Sequence, residues 1–279
     1  RAIHQENRGP MAACANGIKN ATGEYIGFID SDDWIERGMY YDMMNVAKNY
    51  NADLVQCGFI YDSDKESKEF LGINKDEVFK DNMVKDILIP KLLNFWDSEG
   101  LLFSPSRWNK LIKNDLVKKN LEYCDLSLKM GEDLNLILPI LIDSKKVVCI
   151  NKSYYHYVVN GNSTTQSFNA NLWEKNKRLF KCIENICIEK KVKIQTNMNK
   201  YFIYMTILAI FNEYNSSDRF TKKVKNIINI CKENPSKTFL NEYYSNNFNM
   251  LTRLVIRLMI IRLYFMVPIV FKFVEIIRN

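Results

Sequence analysis

The sequence predicts an α/β domain built on a mostly parallel sheet with flanking helices, followed by a helical C-terminal region. Three observations carry that expectation. Strand-like and helix-like patterns alternate between Tyr25 and Ile60, which favours the α/β class. The run Tyr25-Ile26-Gly27-Phe28-Ile29 is short and almost wholly apolar, as in a strand buried on both faces of a parallel sheet. From about residue 168 onward the pattern is helical.

Taken in order, residues 1–7 read as the end of a strand. Pro10 suits the first turn of a helix, where its missing N–H costs nothing, and Gly23 marks a stop after the Ala-rich stretch Met11 to Ala21. The acidic turn Asp30-Ser31-Asp32-Asp33 follows the apolar run directly. Met39 to Tyr50 reads as a helix and Asp53 to Ile60 as a strand. Residues 62–80 read as polar loop, 82–96 as a helix interrupted near Pro90, and 107–119 as a lead into another helix. Gly131 opens an apolar helix running to about Leu141. Val147 to Ile150 and Tyr154 to Val159 read as two separate short strands. The expected division is 1–166, 167–245 and 246–279.

Composition narrows the class. With 279 residues, 47% hydrophobic and 13% aromatic, the chain can build a real core and is not a disordered one. Its seven cysteines are scattered and odd in number, with no CxxC pair, which favours reduced thiols in a cytoplasmic setting. The net charge of +7 is uneven: residues 190–279 hold 15 Lys/Arg against 5 Asp/Glu. No nucleic-acid recognition motif accompanies that charge, so solvated helix faces or an anionic membrane surface remain. Met250 to Met266 is apolar but holds Arg253, Arg257 and Arg262, which argues against a simple transmembrane span. Pro268 is expected to break it, and the segment beyond reads either as a helix lying in a membrane interface or as one packed on protein.

The acidic turn is the strongest chemical signal. Three carboxylates within four residues repel one another unless something positive sits between them. At the C-terminal end of a buried strand, where open α/β sheets bind ligands, hard oxygen donors suit Mg²⁺ or Mn²⁺ held together with substrate phosphates. The same residues can also serve simply as an acidic turn before a helix.

Context separates these readings. Asn7-Arg8-Gly9, Asn16-Gly17-Ile18, Ala21-Thr22-Gly23-Glu24-Tyr25-Ile26 and Phe28-Ile29-Asp30-Ser31-Asp32-Asp33 resemble, in order and spacing, the central stretch of family 2 glycosyltransferases. Trp108-Asn109-Lys110-Leu111, Gly131-Glu132-Asp133 and Tyr154-Tyr155-His156-Tyr157 continue the resemblance, which covers about residues 1–166. It implies a GT-A-like fold and an inverting transfer of a sugar from a nucleotide-diphosphate donor, most simply a UDP-sugar, to a glycan or lipid-linked acceptor. The cofactor would be Mn²⁺ or Mg²⁺.

Residue by residue, the resemblance implies Asp30 and Asp32 as metal ligands, with Asp30 and Asp33 toward the donor. Asn7 and Gly9 belong to its donor-side motif. Asp133 would be the general base, since a hydroxyl is a poor nucleophile until a positioned base takes its proton. Glu132 would orient the acceptor or Asp133. Trp108 reads as a stacking platform for a sugar or as core, Asn109 and Lys110 as donors to sugar or donor groups, and His156 as an aid to the metal or as a half-buried strand residue.

Two departures stand out. The family's Arg-Asn pair is Cys14-Ala15 here, and the family's first strands, which hold the nucleotide base, are expected to be absent ahead of Arg1. The implied setting is bacterial surface-polysaccharide synthesis on the cytoplasmic face of the membrane, with the C-terminal helices on the lipid. The alternative is a non-catalytic glycosyltransferase-like scaffold.

Overall fold

The computed structural model describes residues 1–94, 103–159, 168–233, 240 and 250–278, with side chains as far as Phe273. The chain forms two units, one from Arg1–Ser163 with Lys181–Lys193, the other from Thr164–Phe180 with Ile194–Asn279.

The first unit opens irregularly: residues 1–9 form no strand and are almost entirely exposed, contrary to the expected strand end. Helix α1 (Pro10–Asn20) starts as its sequence suggests, with Pro10 in the first turn and Gly9 before it at φ 91°, a conformation glycine adopts freely. Met11, Ala15 and Ile18 recur at helical spacing and are buried. The strands are β1 (Tyr25–Gly27), β2 (Trp34–Ile35), β3 (Leu54–Asp62), β4 (Ser67–Phe70), β5 (Glu77–Lys80), β6 (Lys110–Lys113) and β7 (Lys146–Val158). Between them lie α2 (Met39–Tyr50), a π-helical turn (Val84–Leu88) running into α3 (Ile89–Leu93), α4 (Asn114–Asn120), and α5 (Glu132–Asp143).

The sheet is mixed rather than mostly parallel. Its order is β1-β6-β3-β7-β2, with β4 added to β3 and β5 to β7. Among the described residues only β3 and β7 pair in parallel. The physical reason is β6, a strand formed by the Lys110-Leu111-Ile112 run just ahead of helix α4. It enters antiparallel between β1 and β3, pairing Ile112 with both Ile26 and Leu54. β1 is consequently a three-residue edge strand in which only Ile26 is buried, while Ile29 beyond it is half exposed.

Two further readings change. Residues 62–80 are not loop, since they supply β4 and β5. The two expected strands after α5 are one 13-residue strand, β7, whose register against β3 shifts on either side of Gly58. A Cβ at Gly58 would meet Ser153 Oγ at 2.5 Å and the Phe70 carbonyl oxygen at 2.8 Å, so the sheet closes there only around a glycine.

Helix α5 is apolar all round, as a fully enclosed helix must be: every residue from Leu134 to Ile142 is buried. Each buried Leu or Ile contributes about 1.5–3 kcal/mol relative to exposure. Its one buried amide, Asn135, is satisfied by the backbone of Asp125. Gly131 precedes α5 at φ 72°. On the other side of the chemistry, Trp108, Tyr155, Phe59 and Tyr157 form an aromatic cluster, with the Trp108 and Tyr155 rings stacked at 4.3 Å.

The second unit is helical. It takes the first part of α6 (Leu172–Glu189), then α7 (Gln195–Tyr214), α8 (Phe220–Lys232), α9 (Met250–Ile260) and α10 (Met266–Arg278). Its core gathers Ile203, Ile207, Ile210, Ile227, Val255 and Phe271. Pro268 does not break a helix but lies in the first turn of α10, where proline is tolerated. The break falls at 261–265, with Arg262 at φ 60°. Among the described residues no helix is long and apolar enough to cross a membrane.

Candidate active site

Four elements of the first unit bring their chemistry to one guanidinium. The turn after β1 carries Asp30, the segment before β6 carries Arg107, the start of α5 carries Asp133, and α1 carries Cys14. Arg107 donates from Nη2 to Asp30 Oδ1 at 3.2 Å and from Nη1 to Asp133 Oδ1. Its backbone N–H adds a bond to Asp133 Oδ2 at 3.3 Å. The Arg107 side chain is only 13% exposed, so these charge-assisted bonds are weakly screened.

Electrostatics follows from that enclosure. Burial pushes the Asp133 carboxyl up to about 6, against the lowering pull of Arg107 and with Glu132 and Asp30 adding to the rise. A carboxyl tuned toward neutrality is suited to accept a proton at physiological pH. Cys14 senses the same cluster: burial pushes its thiol up to about 11, with Arg107 opposing and Asp133, Asp30 and Glu132 reinforcing. It is therefore a neutral group beside the carboxylates, at the position where the family resemblance places an arginine. Glu132 is half-buried next to Asp133 in the first turn of α5.

The acidic turn divides its labour. Asp33 is an anchor: its Oδ2 accepts from the Tyr155 hydroxyl at 2.7 Å and its Oδ1 from the Val158 N–H at 2.9 Å. The Tyr155 oxygen in turn accepts from the Asp30 N–H at 3.1 Å, so β7 holds the turn at both ends. Burial raises the Asp33 pKa, with these bonds working the other way. Asp32 stays exposed. Asn7 shapes the entry to α1 by accepting from the Gly9 N–H at 3.0 Å. A hollow of about 600 Å³ opens beside that turn, lined by Gln5, Arg8, Asn16, Lys19, Leu126 and Ser127 among others.

Three residues expected to touch substrate lie elsewhere. Trp108 is 8% exposed within the aromatic cluster. Asn109 is buried, donating from Nδ2 to the Cys57 carbonyl at 2.9 Å. Lys110 is fully buried, and its Nζ donates to the Ser104 and Ser106 carbonyls at 2.8 and 2.6 Å and to Asn109 Oδ1 at 3.0 Å. The polar groups of Asn109 and Lys110 are used by the protein, and Trp108 is packed in the core, so the three build the support of the Arg107 segment. His156 is likewise engaged: Nδ1 meets Asp62 Oδ2 at 2.6 Å, Nε2 meets Glu36 Oε1 at 3.2 Å, and Trp34 stacks on the ring at 3.4 Å. It ties β2, β3 and β7 together, which is the half-buried strand reading of this histidine. Sequence alone assigns no role to Arg107, which adjoins a motif, or to Tyr155, which lies within one; their roles depend on partners 26 to 125 positions away.

Lys110 supplies a direct test. Burial pulls its ammonium down to about 7. Between that value and the ordinary lysine range of about 10.4 the unfolded chain binds a proton that the folded chain does not, so this group makes stability rise with pH across that window. Lys110→Met removes the partner of one buried and one partly buried carbonyl and should cost about 3 kcal/mol in urea unfolding. The variant should also lack the part of the rise between pH 7 and 9 that lysine contributes, seen as wild type minus variant.

The fold is that of a GT-A-like α/β protein. The solved structure of S. aureus TarS 1-349 in complex with UDP-GlcNAc superposes with a TM-score of 0.62, covering 97% of this chain and 74% of that one at 13% identity. Residues 1–104 match the model of glycosyl transferase family 2. The protein EpsH of Bacillus subtilis (strain 168) is 25% identical over 242 residues, 84% of this chain and 67% of the relative. Glycosyltransferase GlyA of Streptococcus pneumoniae serotype 4 is 29% identical over 164 residues, 59% of this chain and 23% of that much longer protein.

Proposed function

We propose that the chain transfers a sugar, with inversion, from a UDP-sugar to a glycan or lipid-linked acceptor in the synthesis of a bacterial surface polysaccharide, working at the cytoplasmic face of the membrane. The observation that carries this reading is the Arg107 bridge, which brings the acidic turn and the candidate base to the two ends of one guanidinium. UDP-GlcNAc and UDP in the TarS structures support a uridine nucleotide as donor.

Asp133 takes the acceptor hydroxyl's proton as the hydroxyl attacks the anomeric carbon from the face opposite the leaving diphosphate. Arg107 keeps the Asp133 carboxylate aimed and its charge partly balanced. Glu132 stands beside it to orient the acceptor.

The donor set fits a cation shared with substrate. Among the described residues no group of three or more His, Cys, Asp or Glu is placed to hold a metal ion by itself. Mg²⁺ and Mn²⁺ sites often use one or two carboxylates and complete themselves with phosphate oxygens and water. Asp32, exposed, and Asp30 would hold such an ion. Bound there, it supplies positive charge to the diphosphate leaving group.

Calorimetric titration of UDP into the chain with Mn²⁺ tests the assignment. Saturable binding that needs the metal and weakens at least about tenfold in Asp32→Ala is the expected result, one coordinating carboxylate being worth at least that much. Binding that is independent of both metal and Asp32 overturns the cation site.

A further inference from the structure

We infer that α9 and α10 dock on an anionic lipid surface, with the 261–265 turn and an outer apolar stripe entering the headgroup boundary. This refines the membrane placement proposed above and is independent of the sugar chemistry there.

Both helices already satisfy an inner face. Val255, Ile256 and Met259 of α9, and Val267 and Phe271 of α10, are buried in the core of the second unit. Phe271 meets the Phe211 ring edge-on at 4.8 Å. The same helices nevertheless carry a second set of large apolar side chains outside. Met250 is 79% exposed, Ile261 57%, Phe265 52% and Phe273 63%, with Leu254 and Ile269 also in solvent. Their spacing is regular. Met250, Leu254 and Ile261 follow i, i+4, i+11 on α9 and the turn after it; Phe265, Ile269 and Phe273 follow i, i+4, i+8 from the residue just before α10 along that helix. Each set therefore faces one way. Between the stripes the turn exposes Ile261, Leu263 and Phe265 around Arg262. An apolar surplus of this size is not needed by the core and marks an interaction surface.

Charge selects the occupant. Residues 250–279 hold five Lys/Arg and a single acidic residue, Glu275. Arg262 and Lys272 are exposed among the outer apolar residues. Two copies meeting through this face would bring like charges together at a cost, whereas anionic headgroups satisfy cations while the acyl boundary takes the apolar side chains. Helix α9 has 11 residues and spans about 16 Å at 1.5 Å per residue, far short of a bilayer core. The surface suits lying on the membrane, not crossing it.

Co-sedimentation of the full chain with vesicles decides the matter. The chain should bind mixed phosphatidylcholine–phosphatidylglycerol vesicles, ignore pure phosphatidylcholine, and lose binding as salt screens the charges. Replacing both cations, Arg262→Gln with Lys272→Gln, should weaken binding about 25-fold, roughly fivefold per cation. Ile261→Ser with Phe265→Ser should weaken it more than about tenfold. All four side chains are exposed, so circular dichroism should be unchanged, and so should UDP binding with Mn²⁺ if the donor site stands. Failure to bind anionic vesicles overturns the inference, as does binding indifferent to both variant pairs. A concentration-dependent dimer abolished by Ile261→Ser with Phe265→Ser would assign the face to a second copy and overturn it equally.

Discussion

Asp133→Asn is expected to reduce sugar transfer by about 10²–10⁴-fold, the usual contribution of a positioned general base. The amide keeps the shape and the Arg107 contact through its oxygen but cannot accept the proton. Binding of UDP with Mn²⁺ should persist, because the acidic turn is untouched. The wild-type pH profile carries the same assignment. The base works only when ionised, and burial places the carboxyl at about 6. Transfer should therefore rise with pH through about 6 and level off above it. A rate that stays flat down to pH 5, or an Asn variant within threefold of wild type, would remove Asp133 from the role.

Arg107→Gln should cost about 10²-fold at pH 6.5 and distinctly less at pH 8.5, because it acts on the same proton. A guanidinium beside a carboxyl lowers its pKa by about 1–3 units, and Arg107 lowers that of Asp133 against the effect of burial. Without it the carboxyl rises further, and the acid limb of kcat/KM should move alkaline by about 1–3 units. Damage to folding alone would lower the whole profile without moving the limb. An unmoved limb in a folded variant would show that Arg107 serves only to hold the segment before β6. The guanidinium enters the site from residue 107, while position 14, where the resemblance places an arginine, holds a neutral thiol.

Much of the first unit was legible because it is locally encoded. Pro10 beside a glycine, the Met39–Tyr50 periodicity and the apolar run after Gly131 each specify a helix from neighbours within a few residues, and α1, α2 and α5 form where those signals stand. Strands were read less well. Lys110-Leu111-Ile112 is too short for periodicity to separate strand from helix, and its state is set by Ile26 and Leu54 on either side. The polar stretch 62–80 looked like loop because β4 is largely exposed and draws its order from pairing with β3. Pro268 carried a breaking signal, yet its position within α10 depends on where the preceding turn at Arg262 ends.

The site shows the same boundary. Residue types pointed to the acidic turn, because clustered carboxylates are chemically conspicuous, whereas Gly131-Glu132-Asp133 alone reads as a helix cap and stood out only through the family resemblance. Their meeting through Arg107, the anchoring of Asp33 by Tyr155, and the burial of Lys110 beneath the Arg107 segment are long-range facts. By itself the sequence determined the α/β class, the main helices, the family resemblance and the conspicuous carboxylates. Only the tertiary structure decided the mixed strand order, which motif residues face a ligand and which face the core, and the state of Asp133. Desolvation and charge coupling depend on distances in space, and no local pattern of residues encodes them.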